Sequence, residues 1–136
     1  MKTLKVTKNI WFHELVPKEY GDVTERDLRF LDINLLNAMQ RLRDYFGKPM
    51  IINDDTFNWR GLRTPDFDRY NPGSMHSIWR AYDHHIVGVD PEEEREYIID
   101  NRDEFYPEIM AIEDKVNWIH LDTRYRPDNT LLVFKP

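Results

Sequence analysis

Two histidines and one aspartate, His76, Asp83 and His120, are the side chains of this sequence best suited to bind a metal ion. Imidazole nitrogens and carboxylate oxygens are zinc ligands, and the chain has no cysteine that could replace them. On a helix His76 and Asp83 would lie about 10 Å apart, whereas two ligands of one tetrahedral zinc ion lie about 3 Å apart. If both bind zinc, the chain must fold back between them. Three protein ligands would leave a fourth position for water, as in catalytic zinc sites.

Five histidines and 25 acidic residues form many possible sets of three ligands by chance. Longer motifs single out the set of His76, Asp83 and His120. Ser74–Asp83 resembles the Ser-x-His-x-x-Gly-x-Ala-x-Asp signature of the zinc D-Ala-D-Ala peptidase and hedgehog-like superfamily. Trp118–Asp122 is similar to the second signature of that superfamily, Trp-x-His-x-Asp. Gly61–Pro65 resembles its Gly-Tyr-Arg-Ser/Thr-Pro loop, Asn71–Gly73 lies where the superfamily has Asn and Gly, and Trp11–Pro17 resembles the opening segment of phage-borne relatives.

The resemblance implies a function for the chain. It implies that His76, Asp83 and His120 are zinc ligands in a hedgehog-like or DD-peptidase-like domain. It also implies that Arg63 grips a carboxylate or carbonyl of a bound peptide, a task suited to the planar guanidinium group. The expected activity is that of a phage-type, endolysin-like zinc metallopeptidase that cleaves a peptide bond in the stem peptides of bacterial peptidoglycan.

The general base is the weakest part of this expectation. The superfamily usually places Glu or Asp three residues before the second His, and the chain has Asn117 there. An amide cannot take a proton from water. Glu113 is the preferred replacement, and Asp114 is the alternative. A different class of function also stays open, a catalytically impaired zinc-binding structural or peptidoglycan-binding module of phage origin.

A second departure from the superfamily pattern is Trp79, which stands where the first signature has Gly. A glycine at this position would suit a left-handed backbone or a close approach to another strand. With Trp79, either the loop has another shape or the aromatic ring lines the cleft.

Several neighbours of the expected ligands have a structural and a functional interpretation. His85 should share the strand face of Asp83, with His84 on the opposite face. The role of a strand-surface residue is favoured for His85 over that of a spare metal ligand. Asp122 shares the face of His120, where it would either accept the second N–H of that imidazole or be a plain surface residue.

Larger side chains near the motifs have mainly structural interpretations. Trp59, Tyr82 and Trp118 could form the walls of a groove, although packing is the more common role of such aromatics. The arginines other than Arg63 are expected to be solvated or paired with carboxylates. Glu92–Glu94 fits the first turn of a helix, where negative charge is favourable.

The elements that must position these residues follow from periodicity and end signals. Apolar residues recur every three or four positions over Thr24–Phe46, which predicts a helix that Gly47 ends. Asp90 and Pro91 predict the start of a second helix that ends near Asn101. The remaining predicted elements are the strand Met50–Asn53, the irregular loop Asp54–Asn71, the extended segment Ala81–Val89, the hairpin Ile109–Glu113 with Trp118–Asp122, and the strand Leu131–Phe134. Together they predict a single α+β domain over residues 1–136, with a small antiparallel sheet and flanking helices.

Composition limits the partners. The net charge is −6 and the basic residues are scattered, which argues against nucleic acid. The sequence has no run of 18 apolar residues that would predict a membrane span. Met1–Val16 also lacks the cationic start and following apolar run of a signal peptide. We therefore expect synthesis in the cytoplasm, with action at the cell wall after phage-mediated release as the open alternative.

Overall fold

The computed structural model describes residues 4–136. Its α-helices are α1 (Ile33–Phe46) and α2 (Pro91–Phe105), and its strands are β1 (Met50–Ile51), β2 (Ala81–Ile86), β3 (Ala111–Glu113), β4 (Ile119–Asp122) and β5 (Leu132–Phe134). Short 3-10 turns lie at Phe12–Glu14, Lys18–Tyr20, Asp27–Phe30 and Met75–Ile78. The strands form one sheet in the order β1-β2-β4-β3-β5. These elements confirm the predicted α+β class.

The first helix is shorter than predicted, because it begins at Ile33 rather than Thr24. The N–H of Thr24 does donate to Asp27 Oδ2, at 2.7 Å, but Asp27 begins only the short 3-10 turn Asp27–Phe30. The helix is capped by Asp32, whose Oδ1 accepts from a backbone N–H of the first turn at 3.2 Å. Its other oxygen accepts from the hydroxyl of Thr123, just after β4. A tertiary contact therefore helps to fix the start of α1, and apolar spacing could not reveal it.

The other helix ends agree more closely with their signals. Gly47 ends α1 in the left-handed region, with φ of 65°. Asp90 caps α2 by accepting from a backbone N–H of the first turn at 2.8 Å. The second helix runs to Phe105, one turn beyond the predicted end at Asn101.

The sheet is mixed, which corrects the predicted antiparallel sheet. β3 and β4 form the predicted antiparallel hairpin, and β2 pairs antiparallel with the other edge of β4. Both edges of β4 are therefore occupied when the chain turns back after Asp122. The returning strand β5 pairs with the open edge of β3, and because it runs opposite to β4 it is parallel to β3. β2 also ends at Ile86, three residues before the predicted end at Val89.

The two faces of the sheet have different environments. On one face the buried side chains of Tyr82, Leu121 and Ile112 pack in a single core with apolar residues of both helices. Burial of each large apolar side chain in this core contributes roughly 1.5–3 kcal/mol to stability. The opposite face carries Asp83 and His120. No helix within residues 4–136 is both long enough and apolar enough to cross a bilayer.

Candidate metal centre

Neighbouring strands supply two of the three predicted ligands. The register of β2 and β4 pairs Asp83 with His120, and paired residues project from the same face of a sheet. Both side chains are buried, with 5% and 7% of their residue surface exposed. The N–H of Asp83 also donates to the carbonyl oxygen of Arg60 at 2.7 Å, which ties β2 to the loop before it.

The third ligand, His76, reaches the same place from the turn before β2. Ser74 caps this 3-10 turn by accepting from the N–H of His76 at 3.2 Å. The chain then reverses at Trp79, and the N–H of Arg80 donates back to the carbonyl of Met75 at 2.9 Å. The fold-back between His76 and Asp83 that zinc binding requires is thus present.

Trp79 makes this reversal with a backbone that glycine adopts more easily. Its φ is 65°, so the residue at the glycine position of the resembled signature is indeed left-handed. The ring does not line the two cavities next to the candidate ligands. It packs instead against Phe12, Tyr20 and Phe30, with ring centroids 5.7 to 6.0 Å away. Aromatic packing therefore offsets the strain of a left-handed tryptophan.

Three donor atoms converge in the interior. His76 Nε2 lies 3.2 Å from His120 Nδ1 and 3.2 Å from Asp83 Oδ1. His120 Nδ1 lies 2.8 Å from the same oxygen. A tetrahedral ion with ligands at roughly 2.0–2.2 Å needs donor atoms about 3.3–3.6 Å apart. The triangle is slightly tighter than this, so a small divalent ion would need only a modest outward shift of the side chains.

The remaining ring nitrogens show which atoms carry hydrogen. His76 Nδ1 lies 2.9 Å from the carbonyl oxygen of Gly61, which can only accept, so this nitrogen is the donor. His120 Nε2 lies 2.8 Å from Asp122 Oδ2 and donates in the same way. In the neutral imidazoles, His76 Nε2 and His120 Nδ1 are then left with lone pairs that face Asp83. Such outer partners fix the orientation of metal-binding histidines.

The ionised carboxylates of this cluster favour a positive charge between the three donor atoms. Burial alone would raise the pKa of Asp83, but His76 and His120 lower it well below its ordinary value. Burial likewise disfavours the charged form of His120, but hydrogen bonds to Asp122 and Asp83 raise its pKa. Against burial, the guanidinium of Arg124 helps to hold the pKa of Asp122 at about 2. The site therefore keeps its carboxylates ionised around the point where the three donor atoms meet.

Arg63 contacts Asp83, one of the three candidate ligands. Its Nη2 donates to Asp83 Oδ2 at 3.2 Å, and its Nε donates to the carbonyl of Trp59 at 2.9 Å. The guanidinium thereby holds the oxygen of Asp83 that does not face the two histidines. A substrate-binding role for Arg63 remains a prediction, and Arg63 lines both cavities beside Asp83.

The candidate bases lie at the end of β3. Glu113 pairs with Phe134 of β5, and extending the β3–β4 register by one residue places it opposite His120. Glu113 lines a cavity of about 450 Å³ together with the three ligands, whereas Asp114 does not. Asn117 is exposed and lines the adjoining cavity instead. Of the two predicted carboxylates, Glu113 is therefore the one that lines the same cavity as the three candidate ligands.

A larger cavity, of about 760 Å³, adjoins the first. Arg63, Asp83 and Trp118 line both cavities, so the two spaces meet beside the candidate ligand Asp83. Trp59 and Trp118 form walls of the larger cavity, as one of their predicted interpretations required. Tyr82 is fully buried in the core and lines neither cavity.

Comparison with known proteins adds nothing to this geometry. No family model, curated protein or solved structure matches the chain. The chain itself shows a buried group of His76, Asp83 and His120 that could hold a metal ion, in an α+β fold. The nature of the ion and of any reaction must be inferred from these residues.

The structure also assigns roles to neighbours that the sequence left open. Asp122 accepts from His120 and is itself held by Arg124, whose Nη2 lies 2.6 Å from Asp122 Oδ2. His85 faces the same way as Asp83, but it is bonded to Arg60 and does not belong to the metal group. The structure thus favours the outer-partner role for Asp122 and the non-ligand role for His85.

Sequence reasoning missed two charged residues of α2 that are buried on the other side of the sheet. Glu94 does more than favour the helix start, because its carboxylate is buried and lies 2.5 Å from His84 Nε2. The buried Arg95 donates to the carbonyls of Glu113, Val116 and Trp118, which form the turn between β3 and β4. Helical periodicity around the core residue Ile98 is the signal that could have placed both side chains inward.

Proposed function

We propose that this chain is a zinc-dependent peptidase that hydrolyses a peptide bond in the stem peptides of bacterial peptidoglycan. The observation that carries the proposal is the meeting of His76 Nε2, Asp83 Oδ1 and His120 Nδ1 within 3.2 Å of one another, beside a cavity that also contains Glu113. The substrate class comes from the two signature-like motifs that contain these ligands.

The donor set fits zinc better than magnesium or calcium. Two imidazole nitrogens and one carboxylate are a common zinc set, whereas the harder cations prefer oxygen ligands. Structural zinc sites are usually closed by four protein ligands, but this group has three and adjoins an open cavity. When bound, the ion would supply Lewis-acid polarisation of a carbonyl group and acidification of a water molecule.

The residues around the ligands can handle the proton that hydrolysis transfers. Water attacks the carbonyl carbon, its proton must be accepted, and the leaving nitrogen must be protonated as the C–N bond breaks. Glu113 lines the cavity on the side of His120 and can take that proton and return it. Arg63 orients Asp83, because its Nη2 hydrogen-bonds to the outer oxygen of this carboxylate.

A second candidate function is a zinc-stabilised structural or peptidoglycan-binding module without catalysis. The amide of Asn117, at the position where the resembled superfamily carries its base, favours this alternative. It shares the metal site with the peptidase and differs only in the proton-transfer step.

Amine release from purified peptidoglycan, measured on protein loaded with zinc, separates the two functions. We expect release by the wild type, a drop of roughly 100-fold or more for Glu113→Gln, and little change for Asp114→Asn. Asp114→Asn is the matched control, since the neighbouring carboxylate is also half-buried but lies outside the metal cavity. Absence of release above that of His120→Ala, with zinc bound, would favour the binding module. Failure of the wild type to bind zinc would contradict both functions.

A further inference from the structure

The larger cavity beside the metal ligands contains a guanidinium group without a carboxylate partner. Arg60 lines this cavity and is half-buried, and it forms no ion pair with any residue of the described range 4–136. Two other arginines of the region do pair, Arg63 with Asp83 and Arg124 with Asp122. A half-buried charge is normally paired or hydrogen-bonded, because leaving water is costly for it. Carboxylates are abundant in this chain of net charge −6, so the missing partner of Arg60 calls for an explanation.

Neutral groups hold Arg60 in place. Its Nη1 donates to His85 Nδ1 at 2.7 Å and to the carbonyl of Ile51 at 3.4 Å. Its guanidinium carbon lies 3.5 Å from the centroid of the Phe57 ring. The backbone of Arg60 is also fixed, since its N–H donates to the buried Asn53 at 2.9 Å. The guanidinium is therefore oriented before any ligand arrives.

The free edge of this guanidinium matches a carboxylate. All the side-chain bonds of Arg60 use Nη1, so the N–H groups on Nε and Nη2 have no acceptor within residues 4–136. These two groups lie side by side and point in parallel, which is the arrangement that binds both oxygens of a carboxylate. The nearest carboxylates have other partners: Asp54 accepts from backbone N–H groups of its own loop, and Asp83 is held by Arg63 and the histidines.

We propose that the larger cavity is a subsite for a carboxylate-bearing part of the substrate and that Arg60 is the residue that binds this carboxylate. The aromatic rings of Phe57, Trp59 and Trp118 line the same space and would contact the apolar atoms next to the charge. Arg63 lies between this subsite and the metal ligands. The subsite thus selects an acidic peptide on one side of the bond to be cut. That the ligand is a peptide rests on the proposed function, whereas its charge follows from Arg60.

Two peptides of the same shape test the charge preference. The probes are N-acetyl-L-alanyl-D-glutamate and its diamide, added to the zinc-loaded chain while the indole N–H signals of Trp59 and Trp118 are followed by NMR. The same spectra show whether the peptide stays intact. We expect the diacid to bind the wild type roughly 10- to 100-fold more tightly than the diamide, as for a charge-assisted hydrogen bond.

Matched variants show whether the preference for the diacid depends on Arg60. Arg60→Gln should lose this preference, and Arg60→Lys should restore part of it because lysine keeps the charge without the paired N–H groups. Arg69→Gln is the control, because it removes the same charge from an exposed position in the same loop and should bind as the wild type does. Unchanged signals of Trp11 and Trp79 would show that each variant is folded.

The outcomes separate this subsite from the proposed peptidase. Equal affinity of Arg60→Gln and the wild type for the diacid, or no difference between the two peptides on the wild type, overturns the subsite. Hydrolysis of peptidoglycan without any charge preference would leave the peptidase intact and remove the subsite. A charge preference that depends on Arg60, in a chain that releases no amines, would support the subsite and contradict the peptidase.

Discussion

Asp83 and His84 are neighbours in β2, yet they belong to histidine–carboxylate clusters with opposite properties. On the helix-covered face, His84 lies 2.5 Å from Glu94, and the two side chains are 0% and 1% exposed. On the other face, Asp83 meets two imidazoles at the floor of an open cavity. The residue types are the same, and the alternation of side chains along a strand separates them.

The clusters differ in how many donor atoms meet and in whether a cavity adjoins them. In the covered cluster one imidazole faces one carboxylate, so a single proton between them satisfies both facing atoms. In the open cluster the outer nitrogens of His76 and His120 carry their hydrogens away, toward Gly61 and Asp122. When both imidazoles are neutral, their inner nitrogens have lone pairs that face Asp83, and a cation satisfies all three donor atoms. Histidine and carboxylate together indicate a metal site only where three donor atoms converge beside a cavity.

The strongest test of this comparison is removal of the shared carboxylate. Asp83→Ala should abolish metal binding, because the two remaining imidazoles lose both the third ligand and its charge. Zinc at about 100 times its Kd should raise the Tm of the wild type by roughly 10 °C and leave that of the variant unchanged. Metal content by mass spectrometry and thermal unfolding with and without zinc measure the two effects.

The covered cluster supplies the control for this experiment. Glu94→Ala removes the partner of a fully buried histidine and leaves a small void, so we expect a loss of roughly 2–4 kcal/mol in the free energy of unfolding. The zinc content should stay at that of the wild type, since Glu94 lies on the opposite face of the sheet. If the two variants bind zinc equally, the distinction between the clusters is wrong.

The sequence predicted which three side chains converge better than it predicted the elements that position them. Two short motifs named His76, Asp83 and His120, and elementary geometry required a fold-back that the turn at Trp79 provides. Strand periodicity also predicted that His84 and His85 would face opposite ways, and the structure confirms it. These features depend on local spacing, which a single sequence contains.

Features that depend on distant contacts were not predictable in this way. The contact of Asp32 with Thr123 helps to fix the start of α1 at Ile33, and the parallel pairing of β5 follows from which sheet edges are already filled. Gly61 is a further example. A Cβ at this position would lie 2.2 Å from the carbonyl oxygen of Leu15, so only glycine allows the close approach that brings its own carbonyl to His76.

A smaller effect should follow from the outer partner of His120. Asp122→Asn keeps the shape of the side chain but removes the charge that orients the imidazole, so zinc affinity should fall by roughly 10- to 100-fold without a change in stoichiometry. Competition with a chelator of known affinity measures this change. Asp128→Asn is the control, because this aspartate is exposed in the segment after β4 and should bind zinc as the wild type does. Equal affinities for the two variants would mean that Asp122 does not support the ligand.

The smallest expected difference concerns Trp79, at the turn that delivers His76. Trp79→Gly and Trp79→Ala both remove the ring that packs on Phe12, Tyr20 and Phe30, which should destabilise the chain by roughly 2 kcal/mol. Alanine keeps a side chain on a left-handed backbone, so Trp79→Ala should be less stable than Trp79→Gly by about 1 kcal/mol in denaturant unfolding. Zinc affinity should be unchanged in both, because the backbone hydrogen bonds of the turn do not involve the ring. An alanine variant as stable as the glycine variant would show that this position is not left-handed. A loss of zinc affinity in both variants would show that the aromatic cluster, rather than the turn, holds His76 in place.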